Sequence, residues 1–495
     1  MSREHSERSP LLQNQPQKKI RNGWLFLAVF SAVLGNFNFG FSLVFPSPVI
    51  PQLQAGDDPR LRMDVHQVSW FGSIFTLGAA AGGLSAMLMN DRIGRKLSIM
   101  ISAVPSTAGY LVMGAAQGFW MLLLGRFLTG IAAGITASSI PVYVSEISHP
   151  GVRGALGSCP QITAVFGSLA LYALGLVIPW RWLAVAGEVP VLLMLILLCF
   201  MPNSPRYLIT HGKRDEACGA LKWLRGPNSD YMNELNQIER SVNSQVGIQW
   251  ADLRSPFYYK PVLISVFMRF LQQMTGITPI LVYLEPIFHK TAITLEPKYD
   301  AALVGAVRLL SVMIAASLMD KAGRKALLYT SAFLMYLAML SMTMYTHTTP
   351  CDNNRNITVD ASLQLTEGHG ELTGSVPNSI TLVPLISAMV IIFGYAMGWG
   401  PITWLLMSEI LPLGARGVAS GLCVMVSWIT AFALTQLFMH AVDAYGLFVP
   451  FLFFCVVCVV NIIFTAVCVP ETKGRTLEEI ENYFRTGRSF TILDS

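Results

Sequence analysis

The sequence predicts an all-α membrane protein with twelve transmembrane helices in two six-helix bundles. Three observations predict it. Hydrophobic residues make up 53% of the 495-residue chain and charged residues only 13%, about half the charged share of an average soluble domain. Apolar runs of roughly 20 residues, the length that crosses a bilayer, occur twelve times along the chain. Short charged motifs then recur at equivalent places in the two halves. A mean hydropathy of +0.51 leaves too little polar surface for a water-soluble protein of this size.

Residues 1–22 form a polar tail with Arg3, Arg8, Lys18, Lys19 and Arg21. No secretory signal precedes the first apolar run, which is long enough to stay in the membrane. The spans are expected at 24–46, 70–89, 97–116, 120–144, 155–178 and 182–201, making a first bundle over 23–201. The second bundle, 262–469, holds spans at 262–288, 300–319, 326–347, 379–406, 418–440 and 446–469. Between the bundles lies the polar segment 202–261, with helical stretches at Asp215–Arg225 and Tyr231–Val242. A polar loop occupies 348–378 and a tail 470–495.

Orientation follows from Lys and Arg, which concentrate in loops on the cytosolic side. Most of the 34 basic residues fall in the two tails, in 202–261 and in the loops on that same side. Both termini are therefore expected in the cytosol and the 348–378 loop in the lumen. That loop carries Asn356-Ile357-Thr358, an N-glycosylation acceptor. The basic residues are spread over many short loops, so nucleic acid is not expected as a partner. Of the eight cysteines only Cys351 is placed outside the cytosol or membrane, so no disulfide framework is expected. Cys455 and Cys458 lie among Val and Phe, where Cys packs as a small hydrophobe.

The repeated motifs are specific. Asp91-Arg92-Ile93-Gly94-Arg95-Lys96 follows the second span, and Asp320-Lys321-Ala322-Gly323-Arg324-Lys325 follows the eighth. Glu146 precedes Arg153-Gly154 as Glu409 precedes Arg416-Gly417. Pro202-Asn203-Ser204-Pro205-Arg206 follows the sixth span, and Pro470-Glu471-Thr472-Lys473-Gly474-Arg475 the twelfth. Two homologous bundles of this kind are a signature of membrane transporters that rock about a midplane site. The charged motifs are expected to form ion pairs among Asp91, Arg92, Arg95, Glu146, Arg153, Asp320, Arg324, Glu409 and Arg416, latching the bundles on the cytosolic side and breaking when that side opens.

With these motifs the chain resembles the sugar porters of the major facilitator superfamily, and the facilitative glucose transporters from end to end. Further matching residues are Gly125-Arg126, Pro141 to Glu146, Gln272-Gln273, Gly398-Trp399-Gly400-Pro401 and Trp404. The short first outer loop and the sequon after the ninth span are similar to the intracellular class III members. The resemblance implies the major facilitator fold, facilitative transport of a hexose or related sugar by alternating access, and sugar contacts at Gln161, Gln272 and Gln273. An alternative is a transporter-like sensor with little flux. No cofactor or metal is expected, and no Walker loop or nucleophile–base pair points to an enzyme.

Physical chemistry adds detail. A sugar site needs uncharged donors and acceptors inside the bundle, and an amide in mid-membrane is costly without a partner. Gln272 and Gln273 point about 100° apart on a helix, so at least one is expected to face the pathway. Gly130 and Gly134 form a G-x-x-x-G that lets helices approach closely. Gly400-Pro401 is expected to break the tenth span. Trp404, one turn beyond, either covers a pyranose face or packs.

Four departures from the family pattern weaken the expectation of ordinary glucose transport. Thr278 and Arg308 stand where the family has Asn, and Ala396 and Ala431 where many carriers place Glu and Asn. Arg308, near mid-membrane, is either a structural ion-pair member or a substrate contact. No carboxylate lies between Trp24 and Pro51, where proton-driven porters carry an Asp, so uniport is expected. Glu7-Arg8-Ser9-Pro10-Leu11-Leu12 resembles an acidic dileucine signal, implying a clathrin adaptor as partner through Glu7, Leu11 and Leu12 and an endosomal or lysosomal membrane.

Overall fold

The computed structural model describes residues 20–149, 151–244, 254–291, 296–349, 380–412, 416–473 and 477–487. Every regular element among them is helical. The first bundle is built from Gly23–Leu43 continuing into Pro46–Ala55, Val65–Arg92, Arg95–Ile101 with Ala103–Gly114, Phe119–Ile147, Arg153–Gly175, and Trp180–Ala186 with Glu188–Cys199. The second holds Pro256–Met274 with Ile277–Val282 and Leu284–His289, then Pro297–Ala322, Arg324–Thr348, Val383–Met397 with Pro401–Ile410, Arg416–Tyr445 and Phe448–Cys468. A surface helix, Leu477–Thr486, follows.

Eleven of these segments are long and apolar enough to cross a membrane. The seventh predicted span is present but fails that test, because Arg269, Gln272 and Gln273 dilute it and Gly276, at φ +79°, breaks it. Large side chains such as Leu88, Val104, Phe200, Leu310 and Val467 stand exposed on the outer surface. Apolar exposure on this scale fits lipid, not water.

Within the bundles, glycines set the packing. Gly130 and Gly134 lie so close to the second span that an added Cβ would sit 2.4 Å from the Phe75 carbonyl oxygen and 2.2 Å from that of Ala79. The predicted G-x-x-x-G is thus a packing motif. The linker helices Pro205–Thr210, Arg214–Arg225 and Tyr231–Asn243 are tied to the first bundle through Arg225, which is 1% exposed. Its guanidinium donates to Glu234 (2.8 Å) and to the Ile147 carbonyl (2.7 Å).

The two bundles meet where the second span packs on the eleventh and the fifth on the eighth. Polar contacts across this seam gather at the end away from the charged motifs. The Tyr283 hydroxyl donates to the Val68 or Ser69 carbonyl (both 3.3 Å), the Tyr172 hydroxyl donates to the Leu281 carbonyl (3.0 Å), and the Glu285 N–H donates to Ser47 Oγ (3.0 Å). At the end bearing the charged motifs, Gln161 and Trp404 are exposed. The molecule is therefore closed at its far end and open towards its basic end.

Candidate functional site

Two helix breaks build the site. Pro401 cannot donate a backbone hydrogen bond, and the tenth span interrupts at Gly398 (φ −148°, ψ −73°). The Trp399 and Gly400 carbonyls, at the start of the half-helix beyond the break, accept from the Thr403 hydroxyl (both 3.1 Å). Gln272, beside the break of the seventh span, is a second donor to them. Its amide nitrogen donates to the Trp399 carbonyl (2.9 Å), the Gly400 carbonyl (3.1 Å) and the Tyr395 hydroxyl (3.0 Å), and its oxygen accepts from Arg269. On the ninth span, Ser331 Oγ accepts from the Trp399 N–H (3.1 Å) and donates to the Gly394 carbonyl (2.6 Å).

Gln273 uses less of its capacity. Its amide nitrogen donates to Ser427 Oγ (3.0 Å) and its oxygen accepts from the Thr278 hydroxyl (2.9 Å). One N–H and one lone pair remain. Trp404 is 44% exposed, with the Arg269 guanidinium 3.7 Å from its ring centroid. One indole face is covered by the cation. Across the seam, Arg308 Nη1 donates to Ser168 Oγ on the fifth span at 3.3 Å. Gln161 lies seven residues before Ser168, on the same helix face.

At the basic end the repeated motifs fold alike. Gly94 and Gly323 both take positive φ, +93° and +86°, which places Arg95 and Arg324 at helix starts. Arg95 pairs with Glu146 (3.1 Å) and Arg324 with Glu409 (3.0 Å). The Ser204 hydroxyl donates to Glu146, and the Thr472 hydroxyl donates to Glu409 at 2.5 Å. The C-terminal motif also supplies Glu471, which accepts from the backbone N–H of Arg324 and of Lys325 (both 3.2 Å).

Comparison with known proteins agrees with this architecture. The family model described as "Sugar (and other) transporter" matches residues 27–484. The chain belongs to the sugar transporter family. It is 60% identical over 473 residues to solute carrier family 2, facilitated glucose transporter member 6, of Homo sapiens, covering 95% of this chain and 93% of that one. It is 39% identical to member 8 of Mus musculus, over 97% and 98% of the two chains. Among solved structures it resembles the inward open conformation of the xylose transporter XylE from E. coli, with TM-score 0.75, 22% identity, and 93% and 99% coverage.

As a sugar transporter the chain adds to its sequence-based expectations in three ways. First, Arg95–Glu146 and Arg324–Glu409 each join neighbouring helices of one bundle, because each half carries its own copy of the motif; among the described residues no ion pair crosses between bundles at the basic end, which is open, the state in which the expected latch is broken. Asp91 and Arg92 are exposed, and the Arg153 guanidinium donates to the Ser148 carbonyl (3.1 Å). Asp320 and Arg416 lie on helices, but their side chains fall outside the described residues, as do Glu7, Leu11, Leu12 and Asn356.

Second, both glutamines of the pair are buried, Gln272 at 1% and Gln273 at 8%. Gln272 is committed to protein partners. Third, the sequence reading passed over Arg269, Tyr395, Ser427 and Ser168, which the fold brings to the site. A signal for Arg269 was present: a cation in an apolar span, three residues ahead of Gln272 and so on the same face. Ala396 and Ala431 are buried, at 5% and 0% exposed, and Ala396 packs with Val165 and Val312.

Proposed function

We propose that this sugar transporter family member is a facilitative uniporter of a hexose or related sugar, working by alternating access across an intracellular membrane. The observation that carries the proposal is the pair of broken spans. They hold neutral donors and acceptors beside a partly exposed indole. In this reading Gln161, Gln273, Thr278 and Trp404 contact the sugar, Gln272 holds the break open beside it, and Arg308 faces it from across the seam. The names of the relatives, facilitated glucose transporters, support the substrate class.

Uniport rests on the buried Arg126 having no carboxylate partner among the described residues. This cation ends on the Ser42 and Phe71 carbonyls and on the ring of Phe75, 4.6 Å from its centroid. The dileucine-like string at Glu7, Leu11 and Leu12 supports adaptor-dependent retention in endosomes or lysosomes, with Asn356 luminal and glycosylated.

Flux of labelled hexoses into proteoliposomes containing the purified protein tests the proposal. Saturable uptake in wild type, weakened about ten-fold or more in Trp404→Ala and Gln273→Ala, is expected, on the scale of one lost polar contact. Uptake equal to that of empty liposomes for every sugar refutes transport. A sensor is the second reading, favoured by the apolar Ala396 and Ala431. It predicts saturable binding without flux.

A further inference from the structure

Two guanidinium groups beside the site have no carboxylate partner among the described residues. Arg269 is 3% exposed. It donates to Gln272 Oε1 and to Ser427 Oγ (3.1 Å) and stacks on Trp404, while its Nε finds no acceptor. Arg308 is half-buried at the bundle seam, with one long bond to the neutral Ser168 hydroxyl. The Tyr395 hydroxyl accepts from Gln272 (3.0 Å), whose oxygen accepts from Arg269. One cation thus belongs to the polar cluster of the second bundle and the other stands at the seam.

A guanidinium does not neutralise itself by releasing a proton. In mid-membrane it needs a counter-charge, carbonyls or water. Arg126 shows what a structural solution looks like here: 0% exposed, held by two backbone carbonyls and set over aromatic rings, with its Nη2 alone unpartnered. Arg308 has none of that. Its hydrogen-bonding capacity is mostly unspent, it is partly open, and it shares the seam with the face of the fifth span that presents Gln161. A bidentate fork of this kind matches a planar carboxylate or a phosphate.

We propose, resting on the sugar-porter reading above, that the preferred solute is a monosaccharide bearing an anionic oxygen group, a carboxylate or a phosphate monoester. Arg308 contacts the anion. Arg269 is a positioning residue: it holds Trp404 and Gln272 in place and adds positive potential. The sugar ring lies against the exposed part of Trp404, and the anionic group reaches the seam. The Glu and Asn that many carriers place on the tenth and eleventh spans are Ala396 and Ala431 here, and charge recognition from the seventh and eighth spans replaces them.

The test uses the full chain in liposomes, with D-glucose, D-glucuronate and D-glucose 6-phosphate compared by binding and by counterflow. One of the two anions is expected to bind about ten-fold tighter than glucose, the scale of one charge-assisted hydrogen bond. The arm that wins identifies carboxylate or phosphate. Arg308→Asn is expected to erase that preference, leaving neither anion tighter than glucose, and Arg308→Lys to keep part of it. Thermal stability of each variant checks its folding, and the wild-type ratio needs no variant at all. Glucose binding as tightly as both anions in wild type overturns the anion proposal and leaves hexose uniport standing. No binding or flux of any of the three overturns both.

Discussion

Gln272 and Gln273 are adjacent in sequence, yet the structure gives them different work. Gln272 spends its amide on the carbonyls at the tenth-span break and accepts from Arg269, whereas Gln273 keeps a free N–H. Gln272→Ala is therefore expected to act on stability first. The buried Arg269 loses an acceptor while the two carbonyls keep only the Thr403 hydroxyl, which costs about 1–3 kcal/mol, read as a lower Tm in detergent. Gln273→Ala, which removes two buried hydrogen bonds to neutral hydroxyls, is expected to lower Tm less than Gln272→Ala and to weaken sugar binding more. Equal Tm losses with unchanged sugar binding in Gln273→Ala refute the division. The sequence shows that polar side chains stand in mid-membrane, but not which carbonyls they satisfy, since Trp399 lies 127 positions away from Gln272. A second residue-scale outcome concerns His149, which follows the fourth span and shares a hydrogen bond with Asn22 (Nε2 to Oδ1, 2.8 Å). Burial, then the nearby Arg225, hold its pKa below the ordinary 6.5, against a smaller opposing pull from Glu234. The unfolded chain binds that proton more readily, so this contribution is intact above pH 6.5 and fades as pH falls through the folded value. Between pH 7.5 and pH 5, Tm is expected to fall more steeply in wild type than in His149→Gln.

At the scale of elements, the second and fourth spans touch backbone to backbone. Gly134 tolerates no Cβ without a shift, because the obstacle is the Ala79 carbonyl and not a movable side chain. Gly134→Val is expected to cost about 1–3 kcal/mol through overpacking and to lower the yield of monodisperse protein on size exclusion. Gly219, on an exposed linker helix with open space around it, provides the contrast. Gly219→Ala is expected to be neutral or to stabilise by about 0.5–1 kcal/mol, because alanine suits a helix interior better. A harmless Gly134→Val shows that the spans can separate. The close pairing was legible in Gly130 and Gly134, since small residues four apart form a flat helix face. The tenth-span break was legible in Gly400-Pro401, while the break at Gly276 and the short helices that follow it were hidden. Hydropathy reports the length of an apolar run and not the course of the backbone inside it. The same blindness explains why the seventh span fails a hydropathy test although the fold requires it.

For the whole molecule, the twelve spans and the two-fold repeat were legible because each repeat is a chemical copy. Ser204 and Thr472 bring hydroxyls to Glu146 and Glu409, and Arg95 and Arg324 bring cations. What the repeat did not reveal was the seam, because contacts between the second and eleventh spans or the fifth and eighth obey no local pattern. That seam carries the last prediction. Coupling to protons needs a group in the pathway that titrates between the two states of the carrier. The buried cation of the first bundle, Arg126, ends on the Ser42 and Phe71 carbonyls, which do not titrate. Among the described residues the buried carboxylate of the first bundle is Glu188, which accepts from Thr107 at 2.5 Å, joining the sixth span to the third within that bundle. Sugar uptake into proteoliposomes is therefore expected to stop at equal concentrations on the two sides, with or without an imposed pH gradient, and to ignore a protonophore. A one-proton symporter under a gradient of one pH unit would instead accumulate sugar up to about ten-fold. Accumulation that collapses in Glu188→Gln would make Glu188 the coupling group and overturn uniport; an unchanged equilibrium in wild type and variant alike leaves the gradient of the solute itself as the sole driving force.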